Sequence, residues 1–91
     1  MSISIRIPTA LRTECGGTAD LCVSAQTVRA ALEQLELDHS SLYRSVCDET
    51  GAVRPHINLF VNSSLVRGPE GLDRVLVPGD VLAIMTAVSG G

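Results

Sequence analysis

Residues 77–91 read VPGDVLAIMTAVSGG, and this stretch decides the fold. Pro78 and Gly79 stand where a tight turn wants a fixed φ followed by a residue free to take positive φ. The next eight residues, VLAIMTAV, form an apolar run of strand length. Leu82 and Ile84 fall on one side of that strand and Met85 on the other. The run then passes into Ser89, Gly90 and Gly91. A strand feeding two glycines needs neighbouring strands to hold it.

The best-patterned neighbour is SISIRI, residues 2–7. Ile3, Ile5 and Ile7 face one way, Ser2, Ser4 and Arg6 the other, and Pro8 closes the strand. TECGGTAD, residues 13–20, reads as a turn-rich loop, and LCVS, residues 21–24, as a second strand making a long-tipped hairpin with the first. The period then changes. In TVRAALEQLEL, residues 27–37, Val28, Ala31, Leu32 and Leu35 share one helical face while Arg29, Glu33 and Glu36 face water. Thr27 is the expected N-cap, with Gln26 and Ser24 as competitors. A short helix is expected over residues 41–46, then a polar turn at DETG, residues 48–51.

HINLFVN, residues 56–62, is the clearest strand. Ile57, Leu59 and Val61 point one way; Asn58, Phe60 and Asn62 point the other. NSS makes a turn, LVRG (65–68) a short paired strand, and PEGLDRVL (69–76) a loop with one helical turn. Each strand has a single apolar face, and one long helix is available to cover it. The first and last strands pair in the middle. The predicted fold is α+β, a β-grasp or ubiquitin-like arrangement: a mixed sheet of about five strands covered on one face by one main helix. Residues 1–88 form the domain and residues 89–91 a flexible tail.

Ninety-one residues make one domain with a modest core. With one Phe, one Tyr and no Trp, the chain lacks an aromatic nucleic-acid platform. The net charge is −3 and the pI about 5.1, which argues against a phosphate-binding face, so no nucleic-acid partner is expected. No apolar run approaches a membrane span and the first residues lack a signal pattern, so a cytoplasmic protein without a membrane partner is expected. Cys15, Cys22 and Cys47 are odd in number and lack metal-ligand spacing, which reads as free thiols. Cys15, in RTECGGT, is expected to be exposed and the most reactive. His39 and His56 have no partner at ligand spacing, so no metal and no catalytic residue is assigned. All seven basic residues are arginine, so the chain offers no ε-amine to an acyl donor.

TVRAALEQL, INLFVN, LVPGDVLAIM and AVSGG together resemble the ubiquitin-like sulfur carriers: the small subunit of molybdopterin synthase, the thiamin sulfur carrier and the carrier of protein-bound cysteine synthesis. The resemblance covers essentially the whole chain. The family often has proline where this chain has Thr86. Thiamin carriers are usually shorter between Leu37 and Pro55, which favours the molybdopterin or cysteine-type branch. The resemblance implies a protein co-substrate, not an enzyme, with no bound cofactor. It implies an ATP-using, E1-like activating enzyme that adenylates the Gly91 carboxylate, and sulfur transfer that makes a thiocarboxylate. It also implies a second, sulfur-accepting enzyme, and a tail-trimming protease where a carrier is made with extra residues.

The chemistry explains the glycines. A carboxylate is a poor electrophile, and a mixed anhydride with AMP cures that. A sulfur nucleophile must then reach the acyl carbon inside a partner, and glycine adds no Cβ to crowd it and accepts any backbone angle. Ordering such a tail costs about 1–2 kcal/mol per residue, so a docking patch on the body must supply affinity. The outward sheet face is the candidate: Phe60 and Met85 as apolar anchors, Arg6 and Arg67 on the rim. A protein modifier attached through Gly91 and a non-covalent interaction module are the competing functions.

Overall fold

A computed structural model describes residues 2–86. Five strands form one mixed sheet: β1 (Ile3–Arg6), β2 (Asp20–Val23), β3 (Ile57–Val61), β4 (Ser64–Leu65) and β5 (Val81–Thr86), in the order β2-β1-β5-β3-β4. β1 pairs parallel with β5 in the interior of the sheet, as the patterning of the two strands predicts, and every other pairing is antiparallel. The helices are α1 (Val28–Asp38), α2 (Ser40–Val46) and the single turn α3 (Gly68–Gly71). The α+β, β-grasp expectation is met, with α1 as the main helix. Residues 87–88 of the expected last strand, and the proposed boundary at 88/89, lie outside the described residues.

Alternation builds the core. Ile3, Ile5, Leu59, Val61, Leu82 and Ile84 point to one face of the sheet and are buried. Val28, Ala31, Leu32 and Leu35 of α1 close over them at helical spacing. Thr27 is the N-cap: Ala30 N donates to its Oγ1 at 3.1 Å. The first turn is held twice more, because Val28 N donates to Arg74 O (3.1 Å) and Arg29 N to Leu72 O (2.7 Å). The segment after α3 is thereby tied to the start of α1.

Two turns set the phase of β3 and β5. In the Val77–Asp80 turn, Gly79 has φ +93° and Asp80 N donates to Val77 O at 3.0 Å, the geometry a Pro-Gly pair favours. After β3, Asn62 takes φ +57°, a left-handed conformation that asparagine tolerates. Its side chain joins the two turns: Nδ2 donates to Asp80 Oδ1 (3.1 Å), and Oδ1 accepts from Val81 N (3.1 Å).

One expectation fails. The segment after Pro8 is not an open loop but a 3-10 helix, Thr9–Cys15, ended by Gly16 and Gly17 at positive φ. That helix turns Cys15 inward, where it is 8% exposed and its thiol donates toward Arg12 O and Thr18 O. Cys22, on edge strand β2, is the exposed cysteine.

Candidate functional site: the outer face of the sheet

The alternation that fills the core leaves a second face that carries no helix among the described residues. Its register is explicit. Asp20 lies opposite Arg6, Arg6 opposite Ala83, Ala83 opposite Phe60, and Phe60 opposite Leu65, so one row crosses all five strands. Met85 lies opposite Asn58 in the row nearer the end of β5, and Val81 opposite Ser4 in the row nearer its start. Phe60 is half-buried and Met85 is 48% exposed. Ala83, the smallest side chain of the row, sits between Arg6 and Phe60, so the face dips at its centre.

Two arginines flank these apolar residues. Arg6 Nε approaches Asp20 Oδ1 at 3.5 Å, with both side chains more than half exposed. A pair so exposed contributes little stability and leaves the guanidinium free to exchange partners. Arg67 is exposed and precedes α3 in an extended conformation. Val66 N donates to Leu59 O, which carries the β3–β4 register one residue past β4 and brings Arg67 level with Asn58. The structure therefore brings Phe60, Met85, Arg6 and Arg67 to one face. Ser89, Gly90 and Gly91 lie outside the described residues, which end at Thr86, the last residue of β5.

Sequence reasoning missed Leu65, Ala83 and Val81 as members of this face. Leu65 was recoverable, since a two-residue turn at Asn62–Ser63 forces it opposite Phe60. Ala83 needed the β1–β5–β3 register, which no single segment carries.

The remaining titratable groups are structural. Burial pushes the Cys47 thiol up to about 11, the Asp48 charge adds to this, and a hydrogen bond with Tyr43 opposes it. Asp48 is held below the ordinary carboxylate range by the Thr50 hydroxyl and N–H, and its Oδ1 also accepts from Ala52 N. Among the described residues no group of three or more His, Cys, Asp or Glu could hold a metal, and no helix is long and apolar enough to cross a membrane.

The ThiS family profile matches residues 5–91. The chain belongs to the ThiS family. It is 32% identical to the sulfur carrier protein CysO of Mycobacterium tuberculosis over the full length of both chains. The CysO of the Amycolatopsis orientalis BexX/CysO complex superposes with a TM-score of 0.87 at 32% identity, covering 98% of this chain and 99% of that one. The small archaeal modifier protein 1 of Methanosarcina acetivorans superposes with a TM-score of 0.82 at 27% identity, over 99% and 96% of the two chains. This ThiS-family chain is a ubiquitin-like sulfur carrier, a protein co-substrate rather than a catalyst.

Proposed function

We propose that the carboxylate of Gly91 is the working group, adenylated by an ATP-dependent, E1-like activating enzyme in the cytoplasm and converted to a thiocarboxylate. Residues 1–88 serve as the docking body and residues 89–91 as the tail that enters a partner's active site. The observation that carries this reading is the outer face: Phe60, Ala83, Leu65 and Met85 form its apolar centre, Arg6 and Arg67 stand at the rim, and β5, part of that face, ends at Thr86, five residues before Gly91 in sequence. The family match extending through Gly91 supports the same role for the tail.

The sulfur then passes to a second enzyme, in cofactor, cysteine or secondary-metabolite biosynthesis. Full-length similarity to proteins named CysO favours the cysteine-type branch, and the segment from Leu37 to Pro55 that carries α2 fits that branch or the molybdopterin type. The BexX/CysO structure supports a body of this kind docking on a partner protein. A tail-trimming protease is needed only if the carrier is made with residues beyond Gly91.

Intact mass after incubation with a matched activating enzyme, ATP and a sulfide source tests the reading. The expected product carries sulfur in place of one terminal oxygen and is absent in Gly91→Ala. An unchanged mass with a competent enzyme would overturn it. The similarity to a small archaeal modifier protein favours a second reading, conjugation of Gly91 to lysines of other proteins. Its mark would be covalent adducts in a lysate, lost in Gly91→Ala.

A further inference from the structure

None of the 91 residues is lysine, and all seven cations are arginines. For a protein whose acyl terminus is activated this has a chemical consequence. A mixed anhydride or thioester is open to any unprotonated amine in reach. The nitrogen adds to the acyl carbon, the C–O or C–S bond breaks, AMP or a thiol leaves, and a proton passes to water. The resulting amide does not revert at neutral pH, so one such event ends a carrier's use. Lysine supplies that nitrogen. Arginine does not, because its guanidinium stays protonated at every working pH.

The placement of the arginines sharpens the point. Arg6 and Arg67 stand exposed on the outer face, in the rows of Ala83 and Met85, within β5's last four residues. Arg6, Arg12, Arg29 and Arg54 direct their Nε toward Asp20, Ile7 O, Asp73 and Arg44 O. β1 runs parallel to β5 with Ser4 beside Val81, so chain upstream of β1 starts a strand length from Thr86, about 16 Å at the usual rise, and the α-amine is the amine source the composition leaves. The exposed nucleophile left on this face is Cys22, in the row of Ser4. A thiol exchanges reversibly with a thioester, and with no amine beside it to trap the acyl group the carrier is regenerated.

We propose that the lysine-free body is a specificity device: it lets the activated Gly91 acyl group pass to sulfur or to a partner while offering it no side-chain amine on the carrier itself or on second copies. The proposal rests on the reading that the Gly91 carboxyl is activated, but its test needs no activating enzyme, so the two can fail separately. Full-length protein with an acetylated N-terminus and a C-terminal alkyl thioester is prepared by thiol cleavage of an intein fusion, so that the α-amine, mostly unprotonated at the pH used, does not compete. Wild type, Arg6→Lys and Arg67→Lys are held at about pH 9, where about 4% of ε-amines are unprotonated, and followed by intact mass. Wild type is expected to decay to the free acid alone. The lysine variants are expected to accumulate a cyclised chain one water lighter than the acid, or an amide-linked dimer, at least about tenfold above wild type, as a tethered amine at millimolar effective concentration would give. Free lysine added to wild type must form its adduct, which shows the acyl group competent. Amide products from wild type at the rate of the variants, or neither variant exceeding wild type while free lysine reacts, would overturn the proposal.

Discussion

Ile84 and Met85 are adjacent in β5, yet Ile84 is completely buried and Met85 is 48% exposed. The same contrast runs through the sheet. Leu59 is buried and Phe60 half-buried; Ile5 is buried and Arg6 reaches water. A helix covers one face and nothing in the described chain covers the other. The comparison teaches that β5 and its neighbours do two jobs with alternate residues: the inward set holds the fold, and the outward set is free to be selected for contact.

The sharpest way to break this division is to truncate one residue from each face. Ile84→Ala should cost about 2–5 kcal/mol, as deletion of a fully buried aliphatic does. Met85→Ala should lie within about 0.5 kcal/mol of wild type. Denaturant midpoints measure both, and equal losses would mean the outer face is structural. Thiol labelling sharpens the contrast further. Cys22 lies on the outer side of β2, while Cys47 is buried with its thiol pushed up to about 11. Thiolate at Cys47 should be scarcer than at an ordinary thiol by at least about a hundredfold, before exclusion of reagent is counted. Peptide mapping after brief alkylation should find Cys22 modified and Cys15 and Cys47 intact. Early modification of Cys15 would restore the open loop that the sequence suggested.

Phe60→Asp asks whether the outward set contacts a partner. It should leave the urea midpoint nearly unchanged and slow thiocarboxylate formation by about tenfold or more, the size of an interface hot spot. Charging at the wild-type rate would remove the outer face from the docking reading.

Most of the fold was legible because its signals are local. SISIRI and INLFVN alternate within themselves, and Val28, Ala31, Leu32 and Leu35 repeat within one helix, so no partner is needed to read them. Cys15 was misread because a seven-residue 3-10 helix leaves too short a pattern to register, and its glycine pair looks the same after a loop or after a helix. The row from Asp20 to Leu65 was half legible. Phe60 and Met85 could be called outward by parity alone, but Ala83 between Phe60 and Arg6 follows from pairings between strands far apart in sequence. The role proposed for Gly90 and Gly91 was legible from residue type alone, through the absence of Cβ atoms.

The smallest expected effect concerns what keeps the two faces from exchanging. A one-residue slip of β5 would turn Leu82 and Ile84 to water and Val81 and Met85 to the core. Asp80 stands immediately before β5 and guards its start. Val77 N donates to Asp80 Oδ2 at 3.0 Å, Asn62 Nδ2 donates to Oδ1, and these bonds hold its carboxyl below its ordinary value of 3.8. A folded-state value below the unfolded one means the folded protein binds that proton less readily. The stabilisation is therefore complete above about pH 4 and drains away as pH falls through the depressed value. Asp80→Asn should be modestly less stable than wild type at pH 7, with the gap narrowing toward pH 3 as the wild-type carboxylate protonates. Urea midpoints at the two pH values give the gap directly, and because Asp48 is unchanged in both proteins its own acid response cancels. A gap as wide at pH 3 as at pH 7 would show that the turn uses the shape of Asp80 rather than its charge. The phase of β5, and with it the separation of the two faces, would then rest on Asn62 and Gly79.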